Sequence, residues 1–149
     1  MTIKRYVADS DNTITNAYED NLTTRGTGSN MGQADVVEVF SIYGQESATS
    51  TELERFLVNF PISEITTDRS NGVVPASGSV SFYVKMTNAP HAGKTPRDYQ
   101  LVMSAVSQSW QEGIGLDIEN YTDLTNDGDG SNWINASGVD IPEITSISF

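Results

Sequence analysis

The chain has 149 residues, 20 acidic and 8 basic side chains, a formal net charge of −12, no cysteine and one histidine, His91. That leaves no disulfide framework, no thiolate nucleophile, no zinc ribbon and no multi-histidine metal site. A chain this acidic repels nucleic-acid phosphate and the anionic face of a membrane, so neither is an expected partner.

The length suits a single domain over 1–149, long enough to bury most of its apolar surface. Hydrophobic residues make up 37% of the chain and include 2 Trp, 6 Tyr and 5 Phe, which argues against disorder. Ser, Thr and Asn together fill 43 positions, a turn-rich composition. No apolar run approaches the roughly 18 residues of a membrane span. The start, with Lys4 and Arg5 but no apolar stretch behind them, does not read as a signal peptide. Synthesis in a cytoplasm is therefore expected, with release by some route other than secretion.

In chain order, 5–8 is a weak strand candidate, and 25–30 has turn chemistry. Residues 36–43 are rich in β-branched and aromatic side chains and predict a strand. Over 54–60, Phe56, Val58 and Phe60 alternate with Leu57 and Asn59, a second strand. Pro61 then suits the first position of a short helical turn over 61–65. After the turn at 70–77, where Asn71-Gly72 can take positive φ, the clearest alternation runs over 79–86. There Val80, Phe82, Val84 and Met86 oppose Ser81, Tyr83 and Lys85, a half-buried strand. A loop over 87–96 leads to 99–106, apolar on both sides and so read as a central strand. The Gly-, Asn- and Ser-rich stretch 126–137 is loop, and 145–149 is a weak terminal strand. Short strands at this spacing point to an all-β sandwich or barrel.

Several segments carry a resemblance when taken together. They are Ala8-Asp9-Ser10-Asp11-Asn12-Thr13-Ile14, Asn30-Met31-Gly32 leading into Val36-Val37-Glu38-Val39, and Arg55-Phe56-Leu57-Val58-Asn59-Phe60 followed by Ile62 and Ile65. The strand 80–85, then Val106 through Trp110-Gln111-Glu112-Gly113, and finally Trp133-Ile134-Asn135 continue the series. In this order they resemble a DNRLRE domain over residues 6–136. The resemblance implies an all-β fold, an antiparallel β-sandwich with jelly-roll character, and a non-enzymatic module associated with polysaccharide or cell-surface binding. Such domains continue into further strands, so either a C-terminal part lies beyond Phe149 or a neighbouring subunit completes the sandwich. The opening Met1-Thr2-Ile3-Lys4-Arg5-Tyr6 is similar to structural proteins of tailed bacteriophages, which are made in the host cytoplasm without a signal peptide and released by lysis. This implies a virion location.

The candidate sites each have two readings. Trp110, Glu112 and Trp133 suit a glycan platform, an indole stacking on a sugar beside an accepting carboxylate. Against it, a Trp is usually buried, which favours Trp110 as a core plug with Glu112 holding loop amides and Gly113 turning the chain. Asp123, Thr125, Asp127 and Asp129 could supply calcium oxygens, with Gly128 for a sharp turn, but position 12 of an EF-hand frame is Ile134 rather than Glu. The other reading is a solvated turn. Asp9 and Asp11 with Asn12 form a second acidic cluster. Carboxylate pairs such as Asp117 with Glu119 arise by chance among 20 acids, and His91 sits in a loop composition, so no catalysis is expected. Asn-X-Ser/Thr triplets at Asn21, Asn120 and Asn135 match chance frequency. Ile144, Ile147 and Phe149 are candidate interface residues.

The leading expectation is thus a structural, non-enzymatic tailed-phage subunit on the capsid, collar or tail surface, partnered by further copies or other virion proteins. A carbohydrate-binding module directed to cell-surface glycan comes second, and a glycoside hydrolase or lyase domain a distant third. No cofactor is expected beyond the candidate calcium.

Overall fold

A computed structural model describes residues 3–90, 98–123 and 129–137. Its organising element is a three-stranded antiparallel sheet of β1 (Ser10–Thr15), β2 (Ser41–Tyr43) and β3 (Thr51–Asn59), in the order β1-β3-β2. β2 lies antiparallel to β3, with Ser41 opposite Leu53, Ile42 opposite Glu52 and Tyr43 opposite Thr51. One helix follows, α1 (Ile62–Ser70), and short 3₁₀ turns occupy Ser77–Ser79 and Asp117–Asn120. The mostly sheet-like, antiparallel character expected from the sequence is present at this level. Among the described residues no helix is long and apolar enough to cross a membrane.

The chain divides into two compact units, Met1–Asp9 with Asn59–Leu101, and Ser10–Val58 with Val102–Phe149. In the first, Asp9 N–H donates to Asn59 O at 3.0 Å, and Asn59 Nδ2 donates to the Asp9 carboxylate at 2.6 Å. Lys4 pairs with Asp68 at 2.8 Å and Tyr6 Oη donates to the same carboxylate at 2.7 Å, tying the N-terminal segment to α1. These two partners hold Asp68 below the ordinary carboxylate range.

α1 runs past the single turn that Pro61 suggests. Glu64 in its first turn and Arg69 in its last both complement the helix dipole. Gly72, at φ +73°, lets Val73 N–H return to Asp68 O at 2.9 Å and close the helix end. The helix buries no residue, so it is held by local bonds and the Asp68 contacts.

β3 starts three residues before the apolar alternation does. Its outer positions Glu52 and Glu54 share the parity of Phe56 and Val58, and both carboxylates are buried. β1 is absent from the apolar pattern altogether. Ser-Asp-Asn-Thr-Ile-Thr offers one large apolar side chain, Ile14, and its position is fixed by hydrogen bonds made by Asn12, Thr13 and Thr15. In 36–43 the strand proper is only Ser41–Tyr43, while Val36, Val37 and Val39 stay exposed.

The strands expected over 79–86 and 99–106 differ most. Among the described residues neither stretch has a sheet partner, and no backbone–backbone hydrogen bond joins them to another strand. Alternation determines which side chains share a face. A strand also needs a neighbour's N–H and C=O groups, and alternation supplies none. Residues 5–8 form no strand, and 145–149 lie outside the described residues.

Candidate functional site

The second unit is built around one side chain, Asn30, which is 2% exposed. Its Nδ2 donates to Glu112 O and Ser131 O, both at 2.8 Å. Its Oδ1 accepts Gly32 N–H at 3.0 Å and Gly115 N–H at 2.8 Å. Two donors and two lone pairs are then all used, which is the full capacity of a primary amide. The Asn30 backbone is held reciprocally by Asp117, whose Oδ2 accepts Asn30 N–H and whose N–H donates to Asn30 O. Asn12 completes the knot, with Nδ2 donating to Ser131 O and Oγ at 2.7 and 2.8 Å and Oδ1 accepting Met31 N–H at 2.8 Å.

The backbone around Asn30 is packed too closely for side chains. Gly113 sits at φ +86°, and a Cβ there would strike Asp129 O and the Asn30 amide. Gly130, at φ +106°, faces the Gly113 Cα in the same way. Glycine is the residue that tolerates both the dihedral and the contact. Residues 11–12, 30–32, 112–115 and 130–131, distant in sequence, thus supply or adjoin one polar centre in this unit.

Glu112 is directed into this centre, where its Oε1 accepts Asp11 N–H at 2.8 Å. Burial, with the nearby Glu112 charge, raises the Asp11 carboxyl above its usual range. Trp133 is half-buried, its backbone N–H donates to Thr27 O at 3.0 Å, and the Arg55 guanidinium stacks 4.5 Å over its ring. Its loop is shaped by Asn132 Oδ1, which accepts the N–H groups of Ile134 and Asn135. Trp110 is half-buried as well. One face of Trp133 is thereby occupied by Arg55, and Glu112 is engaged with Asp11.

Of the calcium candidates, Asp123 Oδ2 accepts Gly28 N–H at 3.2 Å and Asp129 is exposed. Thr125 and Asp127 lie outside the described residues, as do Ile144, Ile147, Phe149 and His91. Asp9 is bound to Asn59 and belongs to the first unit, whereas Asp11 and Asn12 belong to the second. Among the described residues no group of three or more His, Cys, Asp or Glu is placed to hold a metal ion.

Two features were not singled out by sequence reasoning. Asn30 occurs inside a quoted segment without a role of its own, and Asn12 reads only as a neighbour of Asp9 and Asp11 in an acidic cluster; that each amide gathers distant backbone groups shows only once its partners are known. Glu52 and Glu54 are the second feature. Glu52 Oε2 accepts Tyr18 N–H at 3.1 Å, while Glu52 Oε1 and both Glu54 carboxylate oxygens are buried with no hydrogen-bond partner among the described residues. Burial, with a smaller push from Glu38, raises Glu54 to about 8. Their shared parity with Phe56 and Val58 is the one signal the sequence offers.

The described surface is also notable for its apolar side chains. In the first unit Phe82 is 63% exposed, Tyr83 89%, and Val84 and Met86 are exposed too. In the second, Val102 is 70% exposed and Met103 76%, with Val106 also open. Comparison with protein-family models, curated proteins and solved structures finds no match to this chain.

Proposed function

We propose that the chain is a non-enzymatic structural subunit that acts through surfaces it shares with neighbouring subunits. The observation that supports this is the apolar surface of 80–86 and 99–106. These stretches have β-strand composition but, among the described residues, no sheet partner, and they expose Phe82, Tyr83, Val102 and Met103. Within each unit, exposed apolar groups gathered along one segment mark an interaction surface. Fully burying one such side chain contributes roughly 1.5–3 kcal/mol, so a few of them suffice for a stable contact. In this reading β1-β3-β2 is one layer of an antiparallel, jelly-roll-like sandwich, and partners complete the strands that stand alone.

The more specific assignment, to the outer surface of a tailed-phage virion, rests on the resemblance of the opening segment and on the charge of −12, which disfavours packaged DNA as a neighbour. Other virion proteins or further copies of the chain are the proposed partners, with host-surface glycan second. Light scattering on the purified protein tests the general reading. A mass of two or more chains is expected, and a folded single-chain particle overturns it. Mass spectrometry of purified virions tests the location, which the chain's absence from the particle overturns.

A further inference from the structure

Among the described residues, β2 is the open edge of the sheet. β1 is covered, with Asn12, Thr13, Ile14 and Thr15 all buried, whereas Ser41 and Tyr43 of β2 are exposed. Glu54 N–H donates to Phe40 O and Gly44 N–H to Ser50 O, so positions 40, 42 and 44 turn their backbone groups toward β3. In an antiparallel ladder the alternate residues, Ser41 and Tyr43, then turn theirs away. Exposed Val36, Val37 and Val39 flank this edge, and the stretch 35–46 carries Asp35, Glu38 and Glu46 with no basic residue.

The segment 80–86 has the opposite character. Among the described residues it has no sheet partner, it exposes Phe82, Tyr83, Val84 and Met86, and its one charge is Lys85. Over 70–111 the chain holds a single acid, Asp98, against Lys85, Lys94 and Arg97, leaving 19 acidic and 5 basic residues elsewhere. Two copies of a chain at −12 repel each other over most of their surface, and this stretch is where they do not.

From this we infer that segment 80–86 of one copy adds as a strand to the open β2 edge of a second copy. The occupant is specified by the chemistry of both sides. An exposed edge offers unpaired backbone groups, an extended segment satisfies them, valines meet Phe82 and Val84, and Lys85 meets an acidic flank. Each copy carries one donor and one acceptor, so the contacts close into a ring of two or more chains when their rotation permits. This rests on the assembly reading above and gives it a site and a partner.

The chain has no cysteine, so engineered thiols report without background. Ser41→Cys and Ser81→Cys proteins, both substituted at exposed positions, are mixed and treated with a short bis-maleimide. A cross-linked dimer containing one of each is expected in excess over either homodimer. In light scattering, Phe82→Asp and Tyr43→Pro are each expected to fall to single-chain mass with an unchanged circular dichroism spectrum. The proline removes only an outward N–H, which an edge strand tolerates. Lys85→Glu is expected to lose roughly tenfold in self-affinity. A wild-type single-chain mass overturns both this pairing and the assembly reading. Oligomers that persist in both variants overturn the pairing alone. So does a Ser41→Cys/Ser81→Cys double variant that cross-links only within one chain.

Discussion

Asn30 shows how much one side chain can organise. All four hydrogen-bonding positions of its amide are occupied by backbone groups from three separate segments. Asn30→Asp keeps the shape but turns a carboxylate oxygen toward the carbonyls of Glu112 and Ser131. The expected loss is on the order of 3 kcal/mol or more, read as a lower denaturant midpoint with an unchanged slope. Gly113→Ala should cost a similar amount, roughly 2–4 kcal/mol, because the new methyl meets Asp129 O and the Asn30 amide at a positive φ. Glu54 adds a pH dependence. Its carboxyl, raised from 4.5 to about 8, keeps its proton in the folded chain across a window where the unfolded chain has released it. Its stabilising contribution is therefore complete below about pH 4.5, declines as pH rises through about 8, and is lost above that. Glu54→Gln should remove this slope. Thermal melts should show near-equal stability at pH 4.5 and a variant more stable by on the order of 5 kcal/mol at pH 9.

At the scale of elements, β3 and α1 are held by different forces. β3 is the central strand and buries Leu57, 6% exposed, so Leu57→Ala is expected to cost about 2–4 kcal/mol. α1 buries nothing, and its nine residues fall short of the length at which a helix holds in water by itself. Native-state hydrogen exchange should therefore show the α1 amides opening well before those of β3. Equal protection of the two would contradict this account. The stretches 80–86 and 99–106 belong to this scale too, since each has strand composition and, among the described residues, no strand beside it.

At the scale of the whole molecule, the charge of −12 and the polar composition take on a structural meaning. The buried set in the second unit is largely polar, with Asn12, Asn30, Asp117, Ser131 and Asn132 alongside Ile14, Met31, Leu57 and Ala136. The many Ser, Thr and Asn residues thus serve the interior as well as the turns. Much of the apolar content of 80–106, by contrast, lies on the surface. That exposed apolar content is the physical basis of the proposed assembly reading.

The sequence by itself determined the sheet-forming character, the strand in 54–60, the start of the helix at Pro61 and the turn at Gly72. It also ruled out thiol and multi-histidine chemistry. Each of these follows from local chemistry or from simple counts. Only the tertiary structure decided that Asn12 and Asn30 are the centre of a buried network, that Glu54 is a buried acid, and that β1 is a strand at all. A hydrogen bond between residues 80 to 120 positions apart leaves no periodic trace, because its partners are backbone groups that every residue carries. The alternation over 79–86 was legible and still did not specify pairing, because a ladder is a property of two strands and a sequence pattern describes one.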